Sequence, residues 1–202
     1  MHLIGLAGPA GSGKDTVADL LIQRHGWAKF SFSDALYAEV AQAFGAPVIA
    51  LKDRATKESP TYALALENCR DNAFVRAMLG EVCIQEVREG GFETAIKRPR
   101  SPRWILQRWG TDYRRAQDTD YWVTRAAEAY RRARDRGNPP AGLANTSARF
   151  PNEVTWIRAE GGTVVHVTRP GCAPESDYVS ERPVPWHPGD YVLANNGGLQ
   201  TL

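Results

Sequence analysis

The amino-acid sequence predicts an α/β fold in which a parallel sheet is covered by helices on both faces. Two short apolar segments, His2 to Ala7 and Thr163 to Thr168, have the length and composition of strands in a sheet. Segments with helical apolar periodicity lie between the predicted strands. Strands that alternate with helices favour a parallel sheet, and 202 residues are enough for one domain with a hydrophobic core.

The N-terminal half is predicted to begin with a strand, a loop and a helix. Gly8 and Pro9 end the strand, and the helix begins at Lys14 and ends at Gly26. Asp34 occupies the N-cap position of the next predicted helix. The other segments predicted in this half are a strand over Ala28 to Phe32, a polar loop over Leu51 to Pro60, a helical stripe from Tyr62 to Gly80 and a further helix to Gly90.

The C-terminal half continues the alternation after one irregular segment. Gly91 to Arg103 combines basic residues with prolines, which predicts either a mobile lid over bound phosphates or a solvated surface loop. The later segments are helices at Trp104 to Trp109, Asp120 to Arg136 and Asn152 to Ala159, strands at Gly142 to Thr146 and Thr163 to Thr168, and an apolar segment at Tyr191 to Ala194. We expect one domain over residues 1–202, with a lid segment near 91–103.

Composition excludes several classes of protein. A formal net charge of +2 argues against stable nucleic-acid binding. Cys69, Cys83 and Cys172 are too far apart for a zinc site, and their odd number does not suit a disulfide framework. No apolar run approaches the length of a membrane span, and the N-terminus lacks the basic region of a signal peptide. We therefore expect a cytoplasmic protein without a membrane partner.

The segment from Gly8 to Thr16 has the sequence GPAGSGKDT and lies between a predicted strand and a predicted helix. Glycines let the backbone amides of such a loop point at an anion, and the helix N-terminus adds partial positive charge. Lys14 is positioned to reach the β- and γ-phosphates of ATP. The residues expected to bind ATP are Gly11, Ser12, Gly13, Lys14, Asp15 and Thr16.

Asp15 departs from the general motif, which has Ser or Thr after the lysine to contact magnesium. Its carboxylate has three candidate roles: to hold Mg²⁺ directly or through water, to organise water and protons at the phosphates, or to favour the first helical turn by its charge. Thr16 is expected to donate its hydroxyl to a phosphate. Mg²⁺ is thus the expected cofactor, with Asp15 and Thr16 as the metal candidates.

Three further segments narrow the prediction. They are Leu106 to Arg115 followed by Asp120-Tyr121-Trp122, Ala148 to Val154, and a tail with Ser180-Glu181 and Asn195 to Leu199. Together with the GKDT sequence, they resemble the bacteriophage-type deoxynucleoside monophosphate kinases over essentially the whole chain. The resemblance implies a three-layer P-loop kinase fold and transfer of the ATP γ-phosphate to a deoxynucleoside monophosphate with Mg²⁺. It implies nucleotide partners and the host cytoplasm if the chain is phage-encoded, and it leaves a homodimer open.

The resemblance also assigns residues. Arg149 and Glu153 match the Arg and Glu of the RFPNE segment of the family, and Trp122 matches an aromatic residue after its GT segment. Arg103, or alternatively Arg100, corresponds to a basic residue upstream. Arg149 would hold the acceptor phosphate, and with Lys14 and Asp15 it completes the expected catalytic set. Glu153 would orient that arginine or touch the sugar or base, unless the two form an ordinary helix pair.

Two positions leave questions about the substrate. Asp34 is a candidate substrate contact, although an N-cap also explains it. Ser147 stands where the family has Asp, so base selectivity and catalytic efficiency are open. The alternatives to this function are another small-metabolite P-loop kinase, such as a dephospho-coenzyme A kinase, or a nucleotide-binding regulator or DNA-packaging partner that hydrolyses little.

Overall fold

The structure, a computed structural model, describes residues 1–172, 179 and 182–198. The described residues form two compact units. Met1–Ser33 and the described part of Trp122–Leu202 form the first, which we call the sheet unit. Asp34–Tyr121 forms the second, which we call the helical unit. That the chain acts as a single domain stays a prediction.

The sheet unit contains the strands β1 (His2–Ala7), β2 (Ala28–Phe30), β3 (Gly142–Ala148), β4 (Thr163–Thr168) and β5 (Tyr191–Ala194). All five pair in parallel, in the order β2-β3-β1-β4-β5. The predicted bounds of β1 and β4 are confirmed, and the apolar segment Tyr191 to Ala194 forms the strand β5. The strand β2 is shorter than predicted, while β3 extends beyond its predicted end at Thr146.

The helices of the two units are α1 (Lys14–His25), α2 (Asp34–Phe44), α3 (Val48–Lys52), α4 (Asn72–Ala77), α5 (Ile84–Lys97), α6 (Pro102–Gln107), α7 (Tyr121–Arg134) and α8 (Pro151–Ala159). Short 3-10 turns lie between α3 and α4, and π-helical segments follow α4 and α6. No helix in the described part of the chain combines the length and apolar composition needed to cross a membrane.

Alternating residues of β1 explain how helices cover both faces of the sheet. Leu3 belongs to a buried cluster with Ile157 of α8, whereas Leu6 belongs to a cluster with Ala18 of α1. Gly5 faces α8 so closely that a Cβ there would overlap Ile157, which explains the need for glycine. The predicted three-layer α/β fold of the P-loop kinase type is therefore confirmed.

A buried ionic cluster ties α8 to the start of β5. Asp190, whose side chain is 1% exposed, accepts a hydrogen bond from Arg158 Nη2 at 2.7 Å and lies 2.9 Å from His166 Nε2. The backbone amide of His187 donates to the same carboxylate at 3.0 Å. Burial would raise the pKa of Asp190, but the hydrogen bonds from Arg158, His166 and the His187 amide outweigh burial and lower that pKa.

The first half of the helical unit is less regular than predicted. The predicted polar loop begins only at Asp53, because Leu51 and Lys52 lie within α3. The predicted stripe from Tyr62 to Gly80 is divided into short turns, because Asp71 starts a new helix within it. The Asp71 carboxylate accepts hydrogen bonds from the backbone amides of Ala73 and Phe74, each at 3.0 Å, and so caps α4.

The prediction that Gly91 to Arg103 is an irregular loop is wrong. The helix α5 continues through much of it, and α6 begins before its end. Gly91 interrupts α5 with φ 79° and ψ 165°, so this glycine forms a kink inside a helix. Arg100 is 6% exposed and donates to Glu86 at 2.6 Å, which fixes its side chain. That this segment acts as a lid stays a prediction.

We predict that Asp190→Asn destabilises the chain by about 2–4 kcal/mol, because Arg158 loses its buried partner. The pKa of Asp190 is lower in the folded chain. Its contribution is therefore full above the unfolded-state pKa and is lost as the pH falls through the folded-state value. Urea unfolding at about pH 7 and about pH 3 measures both effects. Equal unfolding free energies for the variant and the parent at neutral pH would contradict this role of the cluster.

Candidate active site

The loop between β1 and α1 requires glycine at three positions. Gly8, Gly11 and Gly13 have φ values of 143°, 77° and 105°, which residues with a side chain rarely adopt. A Cβ on Gly8 would overlap the backbone oxygen of Val167, and one on Gly13 would lie 2.5 Å from Asn195 Nδ2. Conformation and close contact therefore both exclude larger residues from this turn.

Lys14 places its amino group against the start of the loop. Its Nζ donates hydrogen bonds to the backbone oxygens of Gly8 and Pro9, each at 2.8 Å, and the residue is only 9% exposed. The cation is held by carbonyl oxygens at this point, so an anion in the loop can compete for it. The loop and α1 thus bring together a buried positive charge and a helix N-terminus.

Asn195 supports the glycine loop by a hydrogen bond to Ser12, which is part of that loop. Asn195 follows β5, and its side-chain Nδ2 donates to the Ser12 backbone oxygen at 2.9 Å. Its backbone N–H donates to the Thr168 backbone oxygen at 2.7 Å. The Ser12 Oγ is fully buried and has no hydrogen-bond partner among the described residues. A buried hydroxyl without a partner is a ready contact for a bound anion.

The two metal candidates lie in the first turn of α1. Asp15 is exposed and Thr16 is half-buried. Within the described part of the chain, no group of three or more His, Cys, Asp or Glu side chains is arranged to hold a metal. Mg²⁺ usually keeps several water ligands and binds one or two protein oxygens together with substrate phosphates. An oxygen pair beside a phosphate loop suits that mode of binding.

Glu153 fixes the turn from β3 into α8. Its carboxylate accepts hydrogen bonds from the backbone amides of Arg149 at 2.7 Å and Phe150 at 3.1 Å, and the residue is 2% exposed. These bonds act on the backbone, and they differ from the side-chain pair considered from the sequence. They set the direction in which Arg149 leaves the end of β3. Contact of Glu153 with a sugar or base stays a prediction.

Ser147, at the position where Asp was expected, joins the ends of β2 and β3. Its Oγ accepts hydrogen bonds from Ser31 Oγ at 2.6 Å and from the Phe32 amide at 2.9 Å. Its own amide donates to Asn145 Oδ1 at 3.0 Å. Asn145 is fully buried, and its Nδ2 has no partner among the described residues. The Ser147 hydroxyl therefore links the ends of two neighbouring strands by hydrogen bonds, and it carries no negative charge.

A cavity of about 310 Å³ opens at the carboxyl ends of β1, β3 and β4. We call it the strand-end cavity. The residues of interest that line it are Gly8, Arg149, His166, Arg169, Cys172 and Arg182. In open parallel sheets, ligands bind at this edge. The cavity therefore brings the first residue of the glycine loop and Arg149 to one place.

Three other candidate residues are not among those that line the strand-end cavity. Trp122 is 3% exposed within α7, which favours packing in the core over stacking on a base. Asp34 and Arg103 belong to the helical unit, where Asp34 is 3.5 Å from Lys52 Nζ and Arg103 pairs with Glu58. Their contact with a substrate stays a prediction. The tail residues Ser180, Glu181 and Leu199 lie outside the described residues.

A charged network in the helical unit has no counterpart in the sequence analysis. Glu39 accepts hydrogen bonds from Trp109 Nε1 at 2.9 Å, Arg114 Nε at 2.8 Å and Tyr121 Oη at 2.6 Å. The pKa of Arg114 is raised: burial acts against this, but the hydrogen bond and charge of Glu39 outweigh it. Residues 70 or more positions apart form this network, so no local pattern could predict it.

The sheet order and the glycine loop define an α/β protein with a P-loop kinase type of fold, and comparison with known proteins identifies the family. The family described as deoxynucleotide monophosphate kinase matches residues 72–202. The deoxynucleotide monophosphate kinase of Enterobacteria phage T4 is 28% identical over 234 residues, which cover 100% of this chain and 95% of the relative. The chain belongs to the deoxynucleotide monophosphate kinase family.

Two further relatives are similar to this chain, one over a short part of it and the other over nearly its whole length. The deoxynucleotide monophosphate kinase of Escherichia phage RB69 is 37% identical over 57 residues, which cover 28% of this chain and 23% of the relative. A protein of Acanthamoeba polyphaga mimivirus is 29% identical over 214 residues, which cover 99% of this chain and 91% of the relative. The matches to the T4 and mimivirus proteins therefore span essentially the whole of this chain.

We predict that Gly13→Ala weakens both the fold and nucleotide binding. The left-handed backbone costs alanine about 1–2 kcal/mol, and the new methyl group presses on Asn195. Gly137→Ala is the matched control, because that glycine has open space around it and no positive φ. Urea unfolding and ATP titration measure both properties. An unchanged unfolding free energy in Gly13→Ala would show that the loop tolerates a side chain.

Proposed function

We propose that the chain transfers the γ-phosphate of ATP to a deoxynucleoside monophosphate, giving the diphosphate and ADP. The observation that carries the proposal is the strand-end cavity, in which the start of the glycine loop and Arg149 line one space. The loop is suited to a triphosphate, and the arginine to a monophosphate. Family membership supports the class of acceptor.

The glycine loop would hold the donor. Its backbone amides and the N-terminus of α1 would surround the phosphates, and the buried Ser12 hydroxyl would gain the partner it lacks among the described residues. Lys14 would exchange the Gly8 and Pro9 oxygens for phosphate oxygens. Because Lys14 is already directed at the loop, little rearrangement is required.

Asp15 and Thr16 would hold Mg²⁺ beside the loop, through water or directly. When bound, Mg²⁺ neutralises charge on the β- and γ-phosphates. The exposed Asp15 carboxylate supplies a hard oxygen ligand, and the Thr16 hydroxyl supplies a second oxygen in the same helical turn. Asp15 thereby provides an oxygen where the general motif has a hydroxyl.

Arg149 would orient the acceptor for in-line attack. A phosphate oxygen of the acceptor bonds to the γ-phosphorus, and the bond from that phosphorus to the β–γ bridging oxygen breaks. ADP leaves with the electron pair, and no proton must move because the attacking oxygen is already ionised. Glu153 assists by fixing the Arg149 backbone, so that the guanidinium is held where the acceptor enters.

The proposed partners are nucleotides, and the proposed setting is the host cytoplasm if the chain is phage-encoded. A dephospho-coenzyme A kinase activity is the alternative acceptor class. The neutral Ser147 removes a negative charge near the acceptor side of the sheet, and we propose that it broadens the choice of base. A panel of acceptors therefore tests both the reaction and its specificity.

We predict ATP consumption that depends on a deoxynucleoside monophosphate, measured with each acceptor in turn and with dephospho-coenzyme A. Lys14→Met should lower this turnover by about 10²–10³-fold, because charge on the transferred phosphate loses its stabilising partner. Circular dichroism of the variant controls for folding. ATP turnover that ignores every deoxynucleotide, or a folded Lys14→Met protein with parental turnover, would contradict the proposal.

We predict that Arg149→Ala lowers acceptor-dependent kcat/KM by about 30–1,000-fold, because a charge-assisted bidentate contact is lost. ATP affinity without acceptor should change little. Arg136→Ala is the matched control, since Arg136 is exposed beyond the end of α7. Steady-state kinetics with varied acceptor, together with ATP titration, separate an effect on the acceptor from an effect on ATP binding. Parental kinetics in Arg149→Ala would assign that residue to the turn alone.

A further inference from the structure

We propose that Arg169 and Arg182 are phosphate-binding residues that complete an anion site with Arg149 in the strand-end cavity. The assignment to nucleotide phosphates rests on the proposed function, while the anion site itself rests on the cavity. Neither arginine belongs to a motif that the sequence analysis assigned. Each enters from the connection between β4 and β5, on the opposite side of β1 from Arg149.

The charged side chains among the described residues that line the cavity are all positive. Arg149, Arg169 and Arg182 contribute three guanidinium groups, and His166 contributes an imidazole. Among the described residues that line the cavity, none is Asp or Glu. Three cations around one space repel one another unless an anion occupies it. The composition of the cavity therefore favours a multiply charged anion such as an oligophosphate.

Arg169 and Arg182 differ in their ion pairing from three partly or fully buried arginines. Arg100, Arg114 and Arg158 each pair with a carboxylate, namely Glu86, Glu39 and Asp190. Arg169 and Arg182 form no ion pair with any residue in the described ranges, although both are exposed to the cavity. A guanidinium group without a carboxylate partner among the described residues can direct its N–H donors at a ligand.

The backbone around Arg169 connects it to the glycine loop. Arg169 directly follows β4, whose Val167 oxygen lies against Gly8. The preceding residue, Thr168, accepts the hydrogen bond from the Asn195 amide. The same Asn195 holds the loop through the Ser12 oxygen. A phosphate bound by the loop would therefore lie near an arginine whose backbone is fixed to the same support.

Cys172 provides a built-in reporter for this cavity. It lines the cavity, and its Sγ is 3.6 Å from the position of a Cβ on Gly11. The other cysteines of the chain, Cys69 and Cys83, are 7% and 1% exposed. Burial raises the pKa of the Cys69 thiol to about 11 and raises that of Cys83, so both react slowly with alkylating reagents.

The experiment measures alkylation of Cys172 by iodoacetamide, a neutral reagent, while sodium tripolyphosphate is titrated. Peptide mass spectrometry gives the rate at Cys172 for the parent chain and for Arg169→Ala, Arg182→Ala and Arg136→Ala. Thermal unfolding of each variant confirms the fold. We expect tripolyphosphate to slow alkylation in the parent. The half-protecting concentration is the tripolyphosphate concentration that gives half of the maximal protection of Cys172. It should rise about tenfold or more in Arg169→Ala and Arg182→Ala and stay unchanged in Arg136→Ala.

The outcomes separate this inference from the proposed function. Lack of protection in the parent, or equal half-protecting concentrations in the parent, Arg169→Ala and Arg182→Ala, would overturn the anion site. A shift of the same size in Arg136→Ala would also overturn it, because only general charge would then matter. Protection by tripolyphosphate needs no turnover. A parent chain that is protected but inactive with every deoxynucleotide would therefore refute the proposed reaction and keep the anion site.

Discussion

The rest of the site depends on the left-handed backbone of the loop between β1 and α1. Positive φ values at Gly8, Gly11 and Gly13 turn the chain tightly enough for α1 to begin at Lys14. The same turn admits Lys14 Nζ to the backbone oxygens at the start of the loop. Larger residues would break this arrangement by strain and by overlap with neighbouring strands. The proposed phosphate binding thus depends on a steric constraint.

The parallel sheet then gathers distant parts of the chain around that loop. Arg149 follows β3, Arg169 follows β4 and Asn195 follows β5, so each reaches the carboxyl edge where the loop lies. Asn195 supports the loop, and the two arginines line the cavity above its first residue. The buried Asp190 cluster fixes the start of β5 and thereby the position of Asn195. The stability of the sheet and the position of the glycine loop are therefore coupled through β5.

The sequence predicts the elements whose pattern is local. The apolar runs of β1 and β4, the glycine loop and α1 have clear signals, and all are confirmed. The strand β3 is harder to delimit, because polar residues such as Asn145 and Ser147 interrupt its apolar pattern. The part of α5 that follows its kink at Gly91 has the sequence pattern of a loop, because its basic residues and nearby prolines resemble a linker. The Asp190 cluster and the support from Asn195 join residues far apart in the chain, and local patterns carry no signal for such contacts.

The central claim is that one strand-end site holds a donor triphosphate in the glycine loop and an acceptor phosphate at Arg149. The most direct measurement is a crystal structure with a bisubstrate analogue, in which an oligophosphate joins adenosine to a deoxynucleoside. The account predicts phosphates in the loop, Lys14 Nζ moved from the Gly8 and Pro9 oxygens onto the oligophosphate, and Arg149 on the deoxynucleoside side. An analogue bound elsewhere, or Lys14 still bonded to those backbone oxygens, would contradict it.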